Sequence, residues 1–289
     1  MLSRNKERVG GTKQPNAAPP PQQLTQGQGT DAGHFSFVVP TEFVELPSQG
    51  KYYTEEHPLH NQESIEIRQM TAKEEDILTS RTLLKKGVAL DRVIQNLIVD
   101  KRINPDTLLV GDRNAIIVAT RVTGYGNLYA TQIGCPNCGI TQEYEFDLNE
   151  ADIYTAENLN DHDIVNNHDG TFDTILPRTQ VTVTFRLLRG IDEKQLVSDL
   201  QAERKRKGHE RNITKQLANI LVAVNGDDTP AALQYFVENV PSIDSRHLRT
   251  AYSLATPNID LTQTFACGEC DHEADMEVPL SADFFWPDR

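Results

Sequence analysis

No apolar run in this 289-residue chain approaches the roughly 20 residues that a membrane helix needs. The N-terminal stretch MLSRNKERVGGTKQ lacks the apolar core of a signal peptide. Both absences lead us to expect a cytosolic protein. Positive charge is also short. Lys and Arg number 28 against 42 Asp and Glu, leaving a net charge of −14. Such a chain repels nucleic acid and anionic lipid at long range. The expected partners are therefore other proteins, with no nucleic acid and no membrane. Walker loops, dinucleotide fingerprints, GxSxG and HExxH are all missing. With no residues on which to found a catalytic site, neither an enzyme activity nor a small-molecule substrate is expected.

What the chain does have is four cysteines in two matched pairs. Cys135 and Cys138 stand in QIGCPNCGITQEYEF, and Cys267 and Cys270 in TFACGECDHEADMEV. In a cytosolic chain, paired cysteines hold metal more often than they form disulfides. Each flank alternates apolar and acidic residues, as a hairpin strand does. Tyr144, Phe146 and Leu148 alternate with Glu143, Glu145 and Asp147, while Ala274, Met276 and Val278 alternate with Glu273, Asp275 and Glu277. Zinc takes four ligands in a tetrahedron, and one CxxC turn supplies two thiolates. The two pairs therefore read as the halves of one split zinc ribbon, with one structural Zn per chain held by Cys135, Cys138, Cys267 and Cys270. Pro136, Gly139 and Gly268 suit the tight turns this requires. Four thiolates leave no open coordination position, which argues against a catalytic zinc. A redox CxxC is the rival reading, but no thioredoxin-like strand and helix surround Cys135. His272 adjoins Cys270 outside knuckle spacing and reads as a surface histidine.

The rest of the chain gives an α+β reading. Residues 1–33, rich in Pro, Gln and Gly, lack the apolar content to offset ordering entropy and are expected to be a disordered arm. A β-rich segment spans 34–70, with Ile65 and Ile67 on one face and PSQG as a turn. A three-helix block spans 71–126. Its first helix runs to Gly87 from a capping box at Thr71 and Glu74. Its second carries Leu90, Val93, Ile94, Leu97 and Ile98 as a stripe, and its third starts at Asp112 as cap. The first half of the ribbon is 127–148 and the second is 260–289. Between them lies a mostly helical inserted subdomain, 149–259. It holds one strand around Val181, Val183 and Phe185, a polar helix over 191–211, and an amphipathic helix over 213–224. A helix capped by Thr229 with Pro230 at its first position comes next, and a last helix ends before Pro257. DHDIVNNHDGTFD fails the calcium-loop spacing and reads as a solvated acidic loop. The basic run RKRKGHER reads as a solvated helix end rather than a nucleic-acid contact.

The C-terminal Phe284, Phe285 and Trp286 carry two readings. They close the core over the ribbon, or they anchor a protein partner.

Several strings, VELPSQGKYY, IEIRQMTAKEEDILTSRTLLKKG, the CPNCG knuckle, TVTFRLLRG and FACGECDHEADMEVPLSADFFWP, together resemble the baseplate hub assembly family of T-even-like contractile-tailed phages. The resemblance runs from about residue 40 to the end, and the family is similar to tail assembly chaperones. It implies a non-enzymatic role in building the baseplate hub, with the tape measure protein or other hub subunits as partners. It places the protein in the cytoplasm of the infected bacterial host, with the virion baseplate as a second location. The rival class is a zinc-ribbon nucleic-acid-binding protein of transcription type, against which the net charge argues.

Overall fold

The computed structural model describes residues 38–206, 212–279 and 282–285. The expected arm, 1–33, lies outside them, as do Trp286 and most of the basic run. All the elements described belong to one unit, Pro40–Arg289.

Strands β1 (Thr41–Glu45) and β2 (Ser64–Arg68) pair antiparallel with Val44 opposite Ile65. Alternation buries Ile65 and Ile67 as the sequence leads one to expect. The PSQG turn between them packs tightly. A Cβ on Gly50 would lie 2.4 Å from the Leu59 carbonyl oxygen, and the residue has φ of 71°.

Helices α1 (Ala72–Thr79) and α2 (Arg81–Lys86) replace the single expected helix. The break is at Ser80, which is extended at ψ 104°. Thr79 bonds back to the Glu75 carbonyl at 2.9 Å, the local competition that makes Thr and Ser poor in helix interiors. Glu74 accepts from the Thr71 amide and hydroxyl and from Arg68, closing the start of α1. Gly87 ends α2 in the left-handed conformation. In α3 (Ala89–Leu97) the apolar stripe is buried at Val93, Ile94 and Leu97.

Helix α4 (Val110–Tyr125) begins two residues before the expected cap. Asp112 is not that cap. It sits fully buried in the first turn, where it accepts from the Ser48 amide at 3.0 Å, the Ser48 hydroxyl at 2.6 Å and the Tyr53 hydroxyl at 2.7 Å. The first turn of α4 thus locks the PSQG loop.

Then come β3 (Leu128–Gly134) and β4 (Thr141–Asp147), a hairpin, and the short β5 (Asp152–Tyr154). The inserted segment continues with β6 (Ile164–Asn166), β7 (Thr171–Ile175), β8 (Thr182–Arg186), α5 (Gly190–Arg206), α6 (Asn212–Ile220), β9 (Leu221–Val224), α7 (Pro230–Asn239) and α8 (Ser242–Ala255). It closes with β10 (Asn258–Asp260), after which β11 (Thr262–Ala266) and β12 (Glu273–Glu277) form a second hairpin.

Within 149–259 the expected helices are present as α5 to α8, but the single expected strand is joined by others. The segment is organised around an antiparallel sheet in the order β6-β7-β8-β9. The acidic stretch read as a loop is the β6–β7 hairpin, with Ile164 and Phe172 buried. The expected 213–224 helix stops at Ile220 and becomes β9, because Leu221 and Ala223 must share the buried side of the sheet. Phe172 and Phe185 stack at 5.6 Å under α8, beside Tyr252. The expected cap of α7 stands, with Thr229 Oγ1 accepting from the Ala232 amide.

Two devices fasten the insertion. Strands β5 and β10 pair antiparallel, Ile153 opposite Ile259, so its two ends meet next to the cysteine hairpins. A charge network also ties α5 to the helical block. Arg113 reaches Asp91 at 2.7 Å and Glu193 at 2.9 Å, and Lys194 pairs with Asp91 and Asp106. Helix α4 runs so close to the segment before β10 that a Cβ on Gly111 would lie 1.9 Å from the Pro257 oxygen.

Candidate metal centre

The two cysteine pairs occupy the tips of the two hairpins, and the tips are built alike. The Cys135 amide donates to the Ile140 carbonyl at 2.9 Å, and the Gly139 amide to the Cys135 carbonyl at 2.9 Å. The Cys267 amide donates to the His272 carbonyl at 2.9 Å, and the Asp271 amide to the Cys267 carbonyl at 3.1 Å. The residue four after the first cysteine is left-handed in both, Gly139 at φ 73° and Asp271 at 53°. Gly268 has no such role. Aspartate tolerates the left-handed region, so the second turn needs no glycine there.

The tips face one another. Cys135 Sγ lies 3.8 Å from Cys270 Sγ, and Cys138 Sγ lies 3.8 Å from Cys267 Sγ. All four sulfurs fall within 4.8 Å of one another, and none is in a disulfide. A tetrahedral ion with metal–sulfur bonds of about 2.3 Å has sulfur–sulfur edges of about 3.8 Å. The donor set and spacing therefore fit a four-thiolate ion such as zinc. Cys135 and Cys267 are buried, Cys270 is half-buried and Cys138 is exposed. The Cys138 and Asn137 amides facing its sulfur hold the Cys135 thiol down at about 6. At Cys138 the Ile140 amide acts in the same direction, but partial desolvation by the cluster and the neighbouring Cys135, Cys270 and Cys267 sulfurs prevail and push it up to about 12.

Protein contacts alone already join the hairpins. Gln263 accepts from the Asp147 amide at 3.2 Å and donates to the Asp147 carbonyl at 2.7 Å. The Tyr144 hydroxyl donates to the Thr264 carbonyl at 2.9 Å, and its ring lies 5.0 Å from that of Phe265. Gln142 donates to the Ala266 carbonyl at 3.3 Å and accepts from the Gly268 amide at 3.1 Å. Asn137 donates to Cys270 Sγ at 3.6 Å. Sequence reasoning found the four cysteines and missed these amide side chains. Gln263 had a visible signal, being a polar residue in register with Phe265 on the inward face of a strand.

The aromatic terminus divides. Phe284 and Phe285 are both buried, with Phe284 edge-on to Tyr129 at 5.1 Å. Neither offers a free anchor, because Arg121 draws this segment inward by donating to the Phe284 carbonyl at 2.7 Å. Trp286 lies outside the described residues.

Fold and site together define an α+β protein whose two distant hairpins meet in a cysteine cluster of metal-binding geometry. The chain belongs to the family described as T4 bacteriophage base plate protein, whose model matches residues 39–286. It is a bacteriophage baseplate protein by that membership. Neither a curated protein nor a solved structure matches it.

Proposed function

We propose that the protein acts in assembly of the phage baseplate hub and tail, binding or chaperoning tail components rather than catalysing a reaction. The family match over residues 39–286 carries this reading. The net charge of −14 supports protein partners over nucleic acid. The first-choice partner is the tape measure protein or another hub subunit. It would be met in the cytoplasm of the infected host, and the virion baseplate is the second location. One zinc per chain, held by Cys135, Cys138, Cys267 and Cys270, would cross-link the hairpin tips. Elemental analysis of freshly purified, reduced protein should find about one zinc per chain.

The test of the assembly role is a pull-down of the tagged chain from infected cells, with mass spectrometry of what co-purifies. Enrichment of tail proteins is expected. Recovery of nucleic acid without tail proteins would overturn the reading in favour of the zinc-ribbon alternative. With Phe284 and Phe285 inside the core, the partner-anchor proposal rests on Trp286. Trp286→Ala should weaken capture by about 2 kcal/mol or more while leaving the melting temperature unchanged. A large loss of stability with capture intact would assign it to the core instead.

A further inference from the structure

The two hairpin tips repeat one another in backbone, but side chains cross from the first to the second. In the first tip the cysteines are followed by amides that face their own sulfurs. The sulfurs of the second tip receive side chains sent across from the first hairpin. Asn137 Nδ2 donates to Cys270 Sγ at 3.6 Å. At Cys267 the sulfur is the donor, the thiol donating to Gln142 Oε1 at 3.5 Å, so Gln142 offers this sulfur no N–H. Its orientation is fixed at both ends, the oxygen by the Gly268 amide and the nitrogen by the Ala266 carbonyl. The repeat makes the asymmetry plain. The position equivalent to Asn137 in the second tip is Glu269, which is exposed and whose side chain has no N–H to send across to a sulfur of the first tip.

We infer that Asn137 and Gln142 are positioning residues for a tetrathiolate metal ion, holding the second tip's sulfurs in register with the first. The inference rests on the zinc reading above. A divalent ion with four thiolates carries a net charge of −2. It sits here beside Glu269, Asp271 and Glu273, in a chain already strongly acidic. N–H donors aimed at sulfur spread that charge, and partners of this kind typically change metal affinity 10- to 100-fold. Asn137 supplies such a donor directly. Gln142 acts at one remove, tying Ala266 and Gly268, on either side of Cys267, to β4. Neither residue belongs to the hydrophobic core, so each can be changed without opening it.

The experiment uses the full reduced chain loaded with Co2+ as a spectroscopic probe, then titrated against a competing chelator. Wild type should show thiolate charge transfer and tetrahedral ligand-field bands. Asn137→Ala and Gln142→Ala should each keep those bands, since all four ligands remain. Each should bind about tenfold more weakly. Melting of the metal-free protein should be unchanged for Asn137→Ala and fall slightly for Gln142→Ala, which also loses its bonds to Ala266 and Gly268. Asn137→Gln, which restores a donor, should recover part of the affinity. Wild type without thiolate bands would sink the metal reading, and this inference with it. Wild type with those bands and both variants within twofold of its affinity would overturn the outer-shell assignment alone. A variant weakened only in proportion to a lowered apo melting temperature would likewise overturn it, as a structural effect.

Discussion

A guanidinium taken out of water without a carboxylate partner must find its hydrogen bonds elsewhere. Arg121 is fully buried, and its described contacts are to backbone carbonyls: Phe284 at 2.7 Å, Gly126 at 2.6 Å and Leu128 at 3.0 Å. It also lies over the Tyr125 and Tyr129 rings. One side chain thereby joins α4, the start of the first hairpin and the C-terminal segment. Arg121→Met would leave three carbonyls without donors, at about 1–3 kcal/mol for each one kept from water. We expect a loss of about 3 kcal/mol or more in urea unfolding, with Arg121→Lys in between. Nothing in the sequence marks this arginine, since RVTGY reads as the polar end of a helix.

Asp244 makes a prediction about acid. Burial would raise its carboxyl, but the Thr179 hydroxyl and the Arg178 and Thr179 amides outweigh it and hold the carboxyl below its usual range. A folded-state value below the unfolded one stabilises the protein above about pH 4. That stability is lost as pH falls through the folded value. Asp244→Asn should therefore flatten part of the stability decline below about pH 4, read from unfolding midpoints across the acid limb. A decline as steep as wild type's would show that other carboxylates carry it.

Among the elements, the hairpins and the strand pair β5–β10 bear on what a metal at the cysteine cluster would hold. Gln263, Tyr144 and Gln142 bridge the hairpins without it. Chelation under reducing conditions should loosen the tips, near residues 135–140 and 267–272, while β5 and β10 remain protected. Amide exchange would show this directly, and simultaneous loss of protection in β10 would make the metal the sole clamp. Much at this scale was legible. The capping box at Thr71, the stripe on α3, the Thr229–Pro230 start of α7 and both cysteine hairpins followed from local chemistry. The sheet of the insertion was not. Three-residue strands such as β6 carry too little alternation to register, and β9 follows α6 without a punctuating residue. Its strand state is fixed by β8 beside it, a contact between residues far apart in sequence.

For the whole molecule, the acidic charge and the family membership direct attention to protein surfaces, and the arm is the first segment to remove. Residues 1–33 have a composition that cannot build a core. Deleting them should leave the melting temperature within about two degrees of wild type. A larger fall would show that they pack on the body. If tail proteins are then no longer captured, the arm carries the partner contact; if they are, the surface lies on the body.

The separation of the two tips has a consequence in time. Cys138 and Cys267 are 129 positions apart. At bacterial synthesis rates of about 5–20 residues per second, the first pair waits roughly 6–26 s before the second has been made. During that interval two thiols are available and two are missing, so a four-thiolate site cannot close. A chain cut short anywhere in the insertion lacks Cys267 and Cys270 and never closes it. The site would thus record that synthesis has passed Cys270, and an incomplete subunit would enter assembly without its cross-link.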